Sequence, residues 1–167
     1  MSDLTNLRRL TVTAMLIALT VVISRIFIIP IPMTHGNINL SDAGILIAAM
    51  VFGPREGAIV GGLSGLLLDL LSGYGQYMFF SLIIHGLEGL IAGKAHFKDT
   101  KKEKIIFLIV GLLTMVTGYF IADTILYSNV YTGLIGIPTN IVQGVLGAAV
   151  AWFVAPRISE VVTKKYV

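Results

Sequence analysis

Long apolar runs, broken by short polar or glycine- and proline-rich segments, set the pattern of this chain. Leu10 to Ile29 is the first, and about 20 mainly apolar residues suffice for a helix to cross the hydrocarbon core. It follows Arg8-Arg9 and stops at Pro30-Ile31-Pro32. No small-residue cleavage site follows it, so it reads as a retained span and not a signal peptide. The next runs are Ala43 to Phe52, ended by Gly53-Pro54-Arg55-Glu56, and the glycine-rich Gly57 to Leu71. Tyr77 to Ala92, Ile105 to Tyr127 and Gly133 to Ala155 complete the series. The pattern predicts an all-α polytopic membrane protein with six transmembrane helices, forming a single domain over 1–167. Spans two and three are short. They read either as one re-entrant hairpin or as full spans extended into Ile38-Asn39-Leu40 and Leu70-Leu71-Ser72.

Composition sharpens this. Of 167 residues, 56% are hydrophobic and only 13% charged, where an average soluble domain carries about 25% charge. Mean hydropathy is +0.89. Disorder is excluded, and a soluble enzyme is disfavoured. The absence of cysteine excludes a disulfide scaffold, a thiolate metal site and a cysteine nucleophile. Net charge is +3, but the basic residues do not cluster with aromatics on a polar face, so no nucleic-acid partner is expected. They punctuate the apolar runs instead. With six spans, eleven of the twelve basic residues fall on one side, with Arg25 the exception. The loops Pro30 to Ser41, Gly73 to Gln76 and Ser128 to Thr132 contain none. The positive-inside rule then places both termini in the cytoplasm and the chain in a bacterial-type plasma membrane.

Small residues recur every fourth position: Gly57, Gly61 and Gly65; Gly89 and Gly93; Gly147 and Ala151; Ala14 and Ala18. Such spacing lets helix backbones approach in lipid. For spans three, four and six the expectation is packing inside the bundle. Ala14 and Ala18 lie near the cytoplasmic end of span one with few polar neighbours, which also suits a docking face for another membrane protein.

Polar groups in hydrocarbon are costly, about 2.5–3.5 kcal/mol for a central aspartate. Ser81, His85 and Glu88 share one face of span four, and Tyr119, Asp123 and Tyr127 one face of span five. Asn140 and Gln143 share a face of span six just after Pro138, which leaves nearby backbone carbonyls free. All lie toward the outer side, whereas the inner halves are nearly all aliphatic. A channel needs polar lining throughout; this distribution predicts an outward-opening pocket above a dry plug. Tyr74, Tyr77, Phe79, Phe80, Tyr119, Tyr127 and Tyr131 offer rings for a planar, polar, small molecule. Asp42, at a helix start, reads as a cap or dipole partner, and Asp69 as a tie for the loop after it. His35 and His96 read as solvated loop residues. His85 with Glu88 is too few ligands to specify a metal, and no cofactor is expected.

Several stretches together resemble the S component of an energy-coupling factor (ECF) vitamin transporter. They are Gly36-Asn-Ile-Asn-Leu-Ser-Asp42, Phe52-Gly-Pro-Arg-Glu-Gly57 and Gly62-Leu-Ser-Gly-Leu-Leu-Leu-Asp-Leu-Leu-Ser-Gly-Tyr74, continued by His85-Gly-Leu-Glu-Gly-Leu-Ile-Ala-Gly93 and Ile137-Pro-Thr-Asn-Ile-Val-Gln-Gly144. The similarity is to the pyridoxine and hydroxymethylpyrimidine branch. It implies a six-helix protein that captures a vitamin or precursor near the outer face and docks on a module of one transmembrane T subunit and two ATPases. It implies a docking motif at Ala14 and Ala18, and a lid formed by Pro30 to Ser41. Where this branch is expected to carry lysine, the chain has His85, a titratable group in place of a fixed cation.

The chain has no G-x-x-x-x-G-K-[ST] phosphate loop of its own. The reading is therefore a non-enzymatic binding subunit of an ATP-driven importer, for a vitamin B6 form or hydroxymethylpyrimidine. Asn39, His85, Glu88, Tyr119, Asp123, Tyr127, Asn140 and Gln143 are the expected contacts, with Asn37 and Asn39 on the lid. The competing reading is a self-sufficient secondary carrier or small channel.

Overall fold

The computed structural model describes residues 2–30 and 37–164. His35 and the middle of the expected lid fall outside the described residues. The elements run α1 (Ser2–Ile26), β1 (Ile29–Pro30), β2 (Asn37–Ile38), α2 (Ser41–Phe52), α3 (Pro54–Ser72), α4 (Met78–Ala92), α5 (Lys101–Tyr127) and α6 (Val130–Lys164). Short 3-10 turns, Gly75–Tyr77 and Gly93–Phe97, flank α4.

The helix boundaries follow from local chemistry. Gly53, at φ 94, turns the chain sharply between α2 and α3, and Pro54 opens α3, where a missing N–H costs nothing. Gly73, at φ 83, closes α3 in the left-handed conformation that glycine tolerates best. The Thr100 hydroxyl accepts the Glu103 amide at the start of α5. α3 reaches Ser72 as expected. α2 does not extend into Ile38-Asn39-Leu40, because Asn37–Ile38 pairs antiparallel with Ile29–Pro30 in the register Ile29↔Ile38, Pro30↔Asn37. Its 12 residues therefore rise only about 18 Å. Among the described residues, four stretches are long and apolar enough to cross a membrane: Leu7–Ile26, Met78–Phe97, Lys101–Tyr127 and Val130–Val162.

The glycine spacing is explained by α3 against α4. A Cβ built at Gly61 would stand 2.2 Å from the His85 carbonyl oxygen, and one at Gly57 would stand 2.4 Å from that of Gly89. No side chain fits there. Gly147 of α6 approaches Asp42 of α2 as closely, its Cβ position lying 2.5 Å from the Asp42 Cβ. Leu46, Ala49, Ala92, Leu108 and Ala151 form a dry cluster toward the end of the bundle that carries Arg55 and Lys94. A second cluster, Ile84, Met115, Val116 and Ala122, lies farther toward the β1–β2 end. The perimeter exposes large apolar side chains such as Leu10, Leu113, Ile121 and Phe153, a surface suited to lipid and not to water. α1 lies against α2 and α3. Arg9 pairs with the buried Glu56 of α3, while Ala14 and Ala18 face outward.

Candidate functional site

The polar residues of the helices meet at the β1–β2 end. On α4, helical spacing stacks Ser81, His85 and Glu88 on one buried face. His85 Nδ1 hydrogen-bonds Glu88 Oε2 at 2.8 Å, and His85 Nε2 lies 3.0 Å from the Tyr119 hydroxyl of α5. That hydroxyl lies 2.7 Å from Ser81 Oγ. The two rings meet edge to face with centroids 5.4 Å apart. From α2, Asp42 Oδ1 stands 3.6 Å from His85 Nδ1. From α6, the Gln143 amide donates to both Asp42 oxygens at 3.4 Å, and Gln143 Oε1 accepts the Asn39 backbone N–H at 2.9 Å. Asn39 in turn accepts the Ser41 amide at 2.8 Å and donates to Asn37 at 2.8 Å. Two hydrogen-bonded groups, one from beside β2 through α6 to α2 and one joining α4 to α5, thus meet at the 3.6 Å approach of Asp42 to His85. Nearby, the Tyr77 hydroxyl donates to Asp123 Oδ1 at 2.6 Å.

Of the residues expected from sequence, Asn39 bonds Gln143, His85 bonds Glu88 and Tyr119, and Asp42 stands between the two sets. Asp123 is held by Tyr77, which also interacts with Tyr127. Asn140 lies beside Asp123, since a Cβ at Gly136 would meet Asp123 Oδ2 at 2.7 Å and Asn140 Nδ2 at 3.6 Å. Three expectations need correction. Asp42 is not the cap of α2: that position is Leu40, the Ser41 amide is satisfied by Asn39, and the Asp42 carboxylate sits in the network. Asp69 ties the following loop through its backbone carbonyl, which accepts the Gly73 and Tyr74 amides, and not through its side chain. Phe79 and Tyr131 point outward, 62% and 76% exposed, and contribute no ring. Tyr77 was anticipated only as a ring. Its 3-10 turn is what turns its hydroxyl inward, and a periodicity argument does not see such turns. His96 is exposed, as expected, with Nδ1 3.0 Å from the Met50 carbonyl.

Asp42, His85 and Glu88 offer ligand atoms all within 4.8 Å of one another, so they are also the described residues that fit a metal ion. Two carboxylates and one imidazole make a usable three-ligand set. Glu88 Oε1, Asp69 Oδ2 and Ser64 Oγ are buried with no hydrogen-bond partner. Buried polar atoms are nearly always satisfied, so these orphans mark where a guest would bond. Acceptors, one imidazole and two tyrosine rings in a buried place are the equipment of a binding site.

Over residues 4–159 the chain matches the family described as "ECF-type riboflavin transporter, S component". It is 42% identical to the thiamine precursor transporter HmpT of Lactococcus lactis subsp. cremoris (strain MG1363), across 95% of this chain and 92% of that one. It is 29% identical to an uncharacterized protein of Pyrococcus woesei, across 80% of this chain and 92% of the relative. A solved structure titled "Structure and mechanism of the S component of a bacterial ECF transporter" superposes with a TM-score of 0.74 at 25% identity, covering 94% of this chain and 98% of that one.

Proposed function

The chain belongs to the S components of ECF-type transporters, and on that premise we propose that it captures the pyrimidine precursor of thiamine, hydroxymethylpyrimidine, at the β1–β2 end of the bundle. The observation that carries this is the buried network of Asp42, His85, Glu88, Tyr119 and Gln143 beneath Asn39, in a chain 42% identical to a thiamine precursor transporter. Hydroxymethylpyrimidine takes precedence over a vitamin B6 form because the relative at 42% identity is a thiamine precursor transporter. Glu88, Asp123, Asn140 and Gln143 hydrogen-bond the guest, His85 orients it, and Tyr119 or Tyr127 stacks on its ring. The segment with Asn37 and Asn39 closes over it and excludes water.

The basic end faces the cytoplasm in this reading, with both termini there, and the chain spans the plasma membrane. Energy comes from a partner. α1 turns Ala14 and Ala18 outward beside an apolar groove lined by Val12, Met15, Leu16, Leu19 and Val22, and this face receives the transmembrane T subunit of a module with two ATPases.

Isothermal titration of the detergent-purified protein with hydroxymethylpyrimidine, pyridoxine, pyridoxal, pyridoxamine, pantothenate and riboflavin tests the assignment. Tight one-to-one binding of hydroxymethylpyrimidine is the expected result. Preference for riboflavin or a B6 form would replace the cargo, and uptake by cells lacking any ECF module would replace the mechanism with a self-sufficient carrier.

A further inference from the structure

We propose that Glu88 sets the specificity of this site: its unpartnered oxygen accepts an N–H from an amino-substituted heterocycle, and the carboxylates around it reject anionic vitamins and phosphorylated precursors. This rests on the reading of the chain as a capture subunit and adds the chemical rule by which it selects.

Glu88 is fully buried. Its Oε2 is taken by His85, and its Oε1 has no partner. The donors bonded within the network point elsewhere. Gln143 donates to Asp42, Tyr77 to Asp123, and the Tyr119 and Ser81 hydroxyls share one hydrogen bond beside His85 Nε2. None of these donors reaches Glu88 Oε1, and a guest that supplies one removes the penalty of an orphaned acceptor. Asp69 Oδ2 is a second orphan carboxylate oxygen, across from the same His85–Tyr119 pair.

The charge count points the same way. Asp42, Asp69, Glu88 and Asp123 are buried at this end; among the described residues His85 is the only basic group buried with them, and no lysine or arginine is buried. A carboxylate or phosphate on the guest would bury negative charge among acidic side chains with no lysine or arginine to pair with it, and an unpaired buried charge is costly.

The test needs three ligands: hydroxymethylpyrimidine with its ring amino group, the same ring lacking that group, and the phosphate monoester. On the intact protein the ring without the amino group should bind about 10- to 100-fold more weakly, the discrimination a hydrogen bond to a charged acceptor gives, and the monoester should not compete. Glu88→Gln should weaken the amino compound by a similar factor and narrow its advantage over the deaminated ring. The ligand comparison on unaltered protein stands even where the variant folds poorly. Equal affinity with and without the amino group would overturn the proposal and leave the precursor assignment intact. So would competition by the monoester. Binding abolished by a chelator and restored by zinc would overturn it too, assigning Asp42, His85 and Glu88 to a metal ion. If hydroxymethylpyrimidine fails but thiamine or pyridoxamine binds in a Glu88-dependent way, the precursor assignment falls and the specificity rule stands.

Discussion

Gln143 faces two ways. Its carbonyl oxygen receives the Asn39 amide from the lid segment, and its amide group reaches Asp42 in the bundle. Gln143→Ala would strip a partner from each, at about 1–3 kcal/mol for a buried group left unsatisfied. The expected outcome is a ligand dissociation rate raised about 5- to 100-fold with the helical content unchanged, read by stopped-flow displacement and circular dichroism. At this scale the reading from sequence worked where residues repeat at helical spacing: Ser81, His85 and Glu88 were placed on one face and share it. It failed at Asp42. An acid in the first turn of a helix suits a cap, a dipole partner and a ligand alike, and only the distant contacts to His85 and Gln143, made when α2 packs on α4 and α6, decide among them.

Between elements, the closest approach is that of α3 and α4, and it holds the site in place. The His85 carbonyl lies against Gly61, and the Cβ of an alanine there would fall 2.2 Å from that oxygen. Backbone cannot yield as a side chain does. Gly61→Ala should force the helices apart, cost about 1–3 kcal/mol and shift His85 relative to Tyr119. The checks are a lowered thermal midpoint in detergent and weakened vitamin binding, whereas Gly75→Ala, where the added carbon meets nothing within 4 Å, should leave both nearly unchanged. The glycine spacing of α3 was visible in the sequence because packing in lipid demands small residues. The pairing of Ile29–Pro30 with Asn37–Ile38 was not, because two-residue strands carry no periodic signal and Pro30 argues against any strand. That pairing is also why α2 is shorter than its apolar neighbours invite.

For the molecule as a whole, function divides between two surfaces. The proposed vitamin site uses α2, α4, α5, α6 and the segment at β2; among the described residues α1 supplies none of its hydrogen bonds. α1 is instead fastened by the Arg9–Glu56 ion pair and by Thr20, which occupies the space above Gly44, and it leaves Ala14 and Ala18 bare. Ala14→Trp together with Ala18→Trp should therefore abolish ATP-driven uptake in cells that carry the ECF module, while the affinity of the purified protein for its vitamin stays within about twofold, as expected for sites that share no partner. Loss of both would place α1 in the binding site and overturn the division.

The bareness of α1 has a consequence for how such proteins diversify. A pocket whose contacts lie on other helices is free to drift toward a new cargo without disturbing the handle by which the motor grips it. With docking on α1 as proposed, a graft of this α1 onto a relative of different cargo should remain a working part.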